Sequence, residues 1–340
     1  MKAIVYKEYG PPEVLKVEEV EKPNPKDNEL LVRVHATTVN FGDLLARNFK
    51  NAPLSKFYMP LPLWLPVRIA FGWNKPKIGI LGSEFSGVVE SVGKDVKEFN
   101  VGDEVFGYPG QKMGAYAEYL CIPEDKMVGI KPKNMTHEEA ACVPYGAIMA
   151  NDHLKRVNIQ SGQKVLVNGA SGGIGSAGVQ LAKYYGAEVT GVCGTNGLEY
   201  VKALGADHVI DYRAEDFTKN GETYDVIYDI LGKSTFSRCK GSMAENGVYL
   251  NASFKTGKVL QMFRTKLIGK KKVICAFASE KHEVMSHIRD LVEAGKLRAI
   301  MDRTFTMEEA SEAHRYIEGD RKKGNIAITI VESSGDRRVV

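Results

Sequence analysis

The sequence predicts an α/β protein in two parts: a β-rich unit of short strands over residues 1–124 and a doubly wound parallel sheet over 125–280. Three observations carry this. Before about residue 125 the apolar runs are short and broken by Gly and Pro. Residues 164–186 read KVLVNGASGGIGSAGVQLAKYYG, a short apolar run that passes through a glycine-rich turn into a helical pattern. Beyond it, further runs rich in Val, Ile, Tyr or Phe alternate with segments of helical length, the pattern of a parallel sheet covered on both faces.

In the first part the runs are Ala3 to Tyr6, Leu30 to Ala36, Phe85 to Val92, Glu104 to Tyr108 and Ala115 to Ile122. Their spacing suits a small, partly open barrel or sandwich. Met59 to Trp73 (MPLPLWLPVRIAFGW) is the most apolar segment, but it is too short to span a bilayer and is broken by Pro60, Pro62, Pro66 and Arg68. It reads first as a loop packed on the core or on another subunit, second as a lid over an apolar pocket, and third as a peripheral membrane contact.

In the second part, Val165 to Val167 form a strand, and Ile174, Ala177, Gly178, Leu181, Ala182 and Tyr185 recur at helical spacing. Between them Ala170, Gly172 and Gly175 fill the small positions of a dinucleotide fingerprint, with Ala for the first Gly; Ser171, Gly173 and Ile174 complete the turn. Small residues there permit a tight turn, close approach of backbone to a pyrophosphate and close packing of helix on strand. A glycine-rich turn alone could be a plain tight turn; the flanking strand and helix make it a dinucleotide site. The next strand, Glu188 to Val192, ends in Cys193-Gly194-Thr195-Asn196-Gly197. An acid normally closes this strand to hold a ribose 2′-hydroxyl, and would repel a 2′-phosphate. None stands here, so NADP(H) is expected, with donors from Gly194, Thr195 and Asn196. No Arg lies in the loop itself; Lys183, Tyr212 and Arg213 are the neighbours able to supply charge or a donor. Ala206 to Ile210, Tyr224 to Ile230, Gly247 to Asn251 and Lys272 to Phe277 continue the strands, with a helix over Leu198 to Leu204.

The 340 residues, 44% hydrophobic and 26% charged, fit a globular chain of two domains, and a net charge of +4 is too small and scattered to indicate nucleic acid. Gly269-Lys270-Lys271-Lys272 and Arg321-Lys322-Lys323 read as solvated surface, or as a basic patch beside a phosphate. The start MKAIVYKEYG lacks the blocks of a signal peptide, and the five cysteines form no CxxC unit, so a reducing, cytoplasmic setting without stable membrane insertion is expected.

The series KAIVYKEYGPPEVL, GSEFSGVV, VGDEVFG, GASGGIG, LGADHVIDY and GNIAITI, in this order, resembles the medium-chain dehydrogenase/reductase superfamily, in its zinc-free quinone oxidoreductase and enone reductase branch. The resemblance implies a GroES-like β-barrel domain, then a Rossmann domain, then a return to the barrel over 281–340, with the active site in the cleft. It implies that Asn251, Phe277 and Asn325 join the cofactor site, and that two copies pair through the edge strand 272–277 as a homodimer. Zinc-dependent relatives hold their metal with a Cys in Cys-x-x-Asp, a His in Gly-His-Glu and a third ligand further on. Here the first reads Asn40-Phe41-Gly42-Asp43 and the second Gly82-Ser83-Glu84; Cys142 lies near the third, and the structural lobe's cysteines are missing from 107–119. No metal is expected.

Without a Lewis acid, alcohol oxidation is disfavoured, whereas hydride addition to a conjugated enone or quinone needs only donors for the developing oxyanion. Asn40 and Asp43 are placed by the resemblance beside the nicotinamide, or else cap the turn before a helix at 42–47. Tyr145 is either a phenolic proton donor or interdomain packing. Glu84 reads as structural, and His35, His137 and His314 as strand or helix surface. Three readings stand: an NADPH-dependent quinone or enone reductase, an alcohol or carbonyl oxidoreductase of the same superfamily, and a cofactor-binding protein without turnover.

Overall fold

The computed structural model describes residues 1–51, 61–253, 255–275, 282–319 and 324–331. The chain opens with β1 (Lys2–Val5) and β2 (Lys16–Glu19), an antiparallel pair, and then enters β3 (Glu29–Val39). Helices α1 (Phe41–Arg47) and α2 (Trp64–Phe71) follow, then β4 (Phe85–Val92), β5 (Glu104–Gly107), β6 (Tyr119–Pro123) and β7 (Val128–Ile130). Leu30, Val32, Val34 and Ala36 alternate along β3 and are all buried. That period of two makes β3 the spine of the barrel sheet, where it pairs antiparallel with both β4 and β6.

Helices α3 (His137–Ala141) and α4 (Pro144–Val157) lead to β8 (Lys164–Asn168), α5 (Gly173–Tyr184), β9 (Glu188–Cys193), α6 (Leu198–Ala203) and β10 (His208–Asp211). Then come β11 (Tyr224–Asp229), α7 (Phe236–Cys239), β12 (Met243–Asn251), α8 (Thr256–Leu267) and β13 (Lys272–Cys275). These six strands form one parallel sheet in the order β10-β9-β8-β11-β12-β13, the doubly wound arrangement of a Rossmann domain. Val165, Leu166 and Val167 are each fully buried, as a central strand covered on both faces requires. The strand read from the sequence as 272–277 is described as far as Cys275; Phe277 lies outside the described residues. Finally α9 (Glu283–Glu293), β14 (Met301–Thr306), α10 (Ala310–Glu318) and β15 (Asn325–Thr329) bring the chain back, and β15 pairs antiparallel with β3.

Two local readings are corrected. The apolar segment read as a loop contains α2, because Pro66 sits in the helix's first turn, where its missing N–H has no intrahelical partner to lose. Arg68 is buried and anchors that helix, donating to the carbonyls of Phe49 at 3.0 Å and Trp73 at 2.9 Å. Of the histidines read as surface, His137 and His314 are buried and His35 is half-buried. His35 and His137 stack with ring centroids 4.4 Å apart, and His314 is fully buried between Arg47 and Tyr116.

Arg47 can only donate, so His314 Nδ1 must accept at 3.1 Å, and its proton lies on Nε2, facing the Tyr116 oxygen at 2.9 Å. Burial, with the adjacent Arg47 charge, pushes His314 down to about 3. The unfolded ring takes a proton near 6.5, so this contribution to stability is present above that pH and is lost as pH falls through 3. Urea melts of the wild type should therefore weaken toward acid by on the order of 4 kcal/mol more than those of His314→Gln. Parallel pH profiles for the two proteins would refute the assignment.

Candidate active site

A cavity of about 750 Å³ opens where the carboxyl ends of the parallel strands meet the barrel, within the range of ligand sites. One wall is apolar, from Val39, Phe41, Leu45, Phe49, Val67, Phe71 and Met113. Val67 and Phe71, four residues apart on α2, give one side of that helix to the cavity.

The opposite wall is the glycine turn. Gly169 takes φ +97°, a left-handed conformation that suits glycine, and Ala170 is buried beneath it. Ser171, Gly172, Gly173 and Ile174 line the cavity. Gly172 is the N-cap of α5 and supplies no side-chain cap, so the first-turn N–H groups are presented without a side-chain acceptor. Gly175 packs the helix onto the turn: a Cβ there would lie 2.0 Å from the Gly169 oxygen. At Gly172 the nearest protein atom to such a Cβ would be 3.6 Å away, which leaves a cradle over the turn. An uncapped helix terminus and an open glycine cradle fit a dinucleotide pyrophosphate.

At the far end, Gly194, Asn196, Tyr212 and Arg213 line the cavity. The Arg213 guanidinium lies 5.2 Å from the Tyr212 ring centroid, and its Nη1 would sit 2.8 Å from a Cβ on Gly194. The Thr195 hydroxyl donates to Asp211 at 2.5 Å, which holds that carboxyl below its ordinary range, and the Arg213 N–H reinforces it. An acid thus does stand near the loop, from the end of β10, which pairs in register with Cys193 of β9. Lys183 points elsewhere: its amine holds Asp207 at 2.7 and 2.9 Å. Asn251 is buried, its Oδ1 accepting from the N–H of Ser253 at 2.8 Å and its hydroxyl at 2.7 Å, and Ala252 faces the cavity instead. Asn325 lines the cavity and donates to the Cys142 carbonyl at 2.9 Å, tying β15 to the approach to α4.

Between the walls lies a hydrogen-bonded cluster. Asn40 caps α1, its Oδ1 accepting from Gly42 N–H at 2.8 Å, while Nδ2 donates to Ser83 Oγ at 2.6 Å and to Glu84 at 3.3 Å. Both protons of the amide therefore have partners within the protein. Asp43 returns the cap by accepting from the Asn40 N–H and also accepts from Gly82 N–H at 3.0 Å. It is fully buried behind the cavity wall, and burial raises its carboxyl to about 7. Glu84, also raised by burial, accepts from the Thr38 hydroxyl at 2.5 Å and from Tyr145 N–H in the first turn of α4 at 2.8 Å, where an acid complements the helix dipole. Asn40 and Ser83 stand where the zinc-dependent motifs read from the sequence have Cys and His, and Cys142 lies near the third ligand position. The first two bond each other, and burial lifts the Cys142 thiol well above its ordinary range.

Tyr145 lines the cavity with its ring 5.7 Å from that of Tyr108, and among the described residues its hydroxyl has no hydrogen-bond partner. Burial pushes it up to about 12, so it keeps its proton at neutral pH. Tyr108, Leu231 and Lys233, which also line the cavity, were not singled out from the sequence. Tyr108 ends a run already read as a strand, whereas Leu231 and Lys233 follow β11 with no local pattern to mark them.

Fold and cavity together define an oxidoreductase architecture in which a dinucleotide-binding sheet faces a barrel. Residues 26–132 match the family model described as alcohol dehydrogenase GroES-like domain, and residues 204–328 match that described as zinc-binding dehydrogenase. The chain is 32% identical to 2-methylene-furan-3-one reductase of Solanum lycopersicum, over 96% of this chain and 79% of that one. It is 31% identical to the mitochondrial NAD(P)H oxidoreductase RTN4IP1 of Mus musculus, over 97% and 89%. Among solved structures it is similar to the quinone oxidoreductase from Coxiella burnetii, with a TM-score of 0.83 at 27% identity, covering 97% of this chain and 99% of the other. The protein belongs to the medium-chain dehydrogenase/reductase superfamily, in its quinone oxidoreductase branch.

Proposed function

We propose that the protein is an NADPH-dependent, zinc-independent reductase that delivers hydride to a quinone or to the activated C=C of an α,β-unsaturated carbonyl. The observation that carries this reading is one cavity joining the uncapped helix terminus to an apolar wall, with the Tyr145 hydroxyl between them. The bound nicotinamide supplies the hydride. The apolar wall from α1 and α2 excludes water and favours a hydrophobic conjugated substrate. Tyr145 holds a proton at its hydroxyl for the oxygen on which charge develops. Asn40, Asp43 and Glu84 hold the loop and the start of α4 in place around it. An amide and a hydroxyl, Asn40 and Ser83, bonded to each other where the zinc-dependent pattern has Cys and His, make a poor ligand set for zinc, which supports metal-free chemistry.

The preference for NADPH rests on Arg213 and Tyr212 at the Gly194 loop, against the carboxylate of Asp211. Arg213→Ala should weaken NADPH by about tenfold or more, the weight of one charge-assisted contact, and leave NADH nearly unchanged. Fluorescence titration of both cofactors checks it, and equal losses would remove Arg213 from phosphate binding. Single-turnover mixing with NADPH and a panel of enones, quinones and simple aldehydes tests the reaction; oxidation of NADPH by aldehydes alone would overturn the proposal. Names of related proteins as reductases and NAD(P)H oxidoreductases support a nicotinamide-dependent enzyme over a binding protein without turnover.

The proposal includes the division of the chain near residues 124 and 280. It also includes a homodimer through β13, which stands at the end of its sheet with one edge unpaired among the described residues. The setting is cytoplasmic, supported by five free cysteines. Among the described residues no helix is long and apolar enough to cross a membrane.

A further inference from the structure

Helix α8 carries an apolar stripe on its outer side. Leu260, Phe263 and Leu267 follow one another at spacings of three and four residues, and Ile268 comes next; they are 64%, 58%, 84% and 71% exposed. The other side of the helix is seated, with Thr265 buried and Met262 packed against the core of the parallel sheet. Residues 255–272 read KTGKVLQMFRTKLIGKKK, with seven Lys or Arg and no Asp or Glu. Arg264 and Lys266 are exposed beside the stripe. Lys271 and Lys272 bond main-chain carbonyls, Lys270 meets Glu245, and Lys258 turns inward toward Asp229 at 3.8 Å.

We propose that α8 is a peripheral docking element for an anionic lipid bilayer. Its apolar stripe would enter the boundary between headgroups and acyl chains while the flanking cations meet lipid phosphates. The charge selects this occupant over two others. A second copy seated on the same stripe would set the exposed cations of one helix, Arg264 and Lys266 among them, against those of the other. A nucleic acid would use the cations, but it would gain nothing from four exposed apolar side chains. The inference is independent of the reaction proposed above.

Flotation of the full chain with phosphatidylcholine vesicles, with and without phosphatidylglycerol, tests it. The wild type should float with the anionic vesicles at low salt, be released at high salt, and stay behind with neutral ones. Phe263→Ser with Leu267→Ser should lose flotation. Arg264→Gln with Lys266→Gln should lower partitioning by about 25-fold, at roughly fivefold per cation. NADPH titration and thermal melting confirm that both variants remain folded, and the charge variant, confined to exposed residues, stands if the apolar one does not fold. Equal flotation on neutral vesicles, or flotation that survives both pairs of changes, would overturn the proposal. So would a smaller assembly of the serine variant in light scattering, which would make the stripe a subunit interface. Duplex DNA bound equally by wild type and serine variant, with no vesicle binding, would overturn it in favour of nucleic acid.

Discussion

Replacing Gly175 with Val is expected to reduce cofactor affinity more than a hundredfold for NADPH and NADH alike. A Cβ at this position would lie 2.0 Å from the Gly169 oxygen and 2.8 Å from the Ala170 Cα, both main-chain atoms of the turn itself. Relief requires α5 to move away from the turn, and its first-turn N–H groups move with it, away from where a pyrophosphate would lie. A branched residue also adds its own helix-entry strain, so a fall in melting temperature should accompany the loss. Gly172→Ala separates the two effects. Its Cβ has no protein atom closer than 3.6 Å, so the folded protein should melt as the wild type does. Only a ligand lying against the turn would feel the added methyl. Titration by quenching of protein fluorescence, alongside thermal melts, reads both variants. Wild-type affinity in Gly175→Val would remove the turn from the cofactor site. Unchanged affinity in Gly172→Ala would mean that the ligand approaches the helix from another side.

That turn was legible in the sequence because everything that makes it is local: a strand, small residues and a helical period within 23 residues of KVLVNGASGGIGSAGVQLAKYYG. The ribose end was less legible. An acid, Asp211, stands beside the loop, and Arg213 reaches Gly194, because β10 lies beside β9 in register. Sheet pairing, not proximity in the chain, creates that juxtaposition. His314 did leave a signal: with Ala310, Ala313 and Ile317 it falls on the apolar spacing of α10, so a buried ring was readable from helical period alone. The histidine type, usually found near surfaces, outweighed the pattern. The prolines of the apolar segment misled for a different reason, since a proline ends a helix only beyond its first turn. Asn40 and Asp43 had two readings from the sequence; the cap engages Asn40 Oδ1 and one Asp43 oxygen, while Asn40 Nδ2 bonds Ser83 and Glu84 and the other Asp43 oxygen accepts from Gly82.

Tyr145→Phe is then the substitution expected to cost most in turnover without touching the cofactor. Asn40 has both amide protons engaged and Asp43 lies behind the wall, whereas the Tyr145 hydroxyl lines the cavity with no partner among the described residues and stands between the glycine turn and the apolar wall. Hydride addition to an enone places charge on the carbonyl oxygen, and a positioned donor there contributes about a hundredfold or more to the rate. The ring itself remains in the variant, so its contact with Tyr108 and the packing of α4 should persist. The expected result is a fall in kcat of about two orders of magnitude, with NADPH affinity and melting temperature preserved. The pH profile adds a second check. With its hydroxyl pushed up to about 12, Tyr145 stays protonated through neutral and mildly alkaline pH, so the wild-type kcat should show no fall from Tyr145 titration there. A variant with full kcat would assign Tyr145 to packing and leave protonation to solvent. A variant that instead loses stability would place the hydroxyl in a structural hydrogen bond, and rescue by small phenols would not follow.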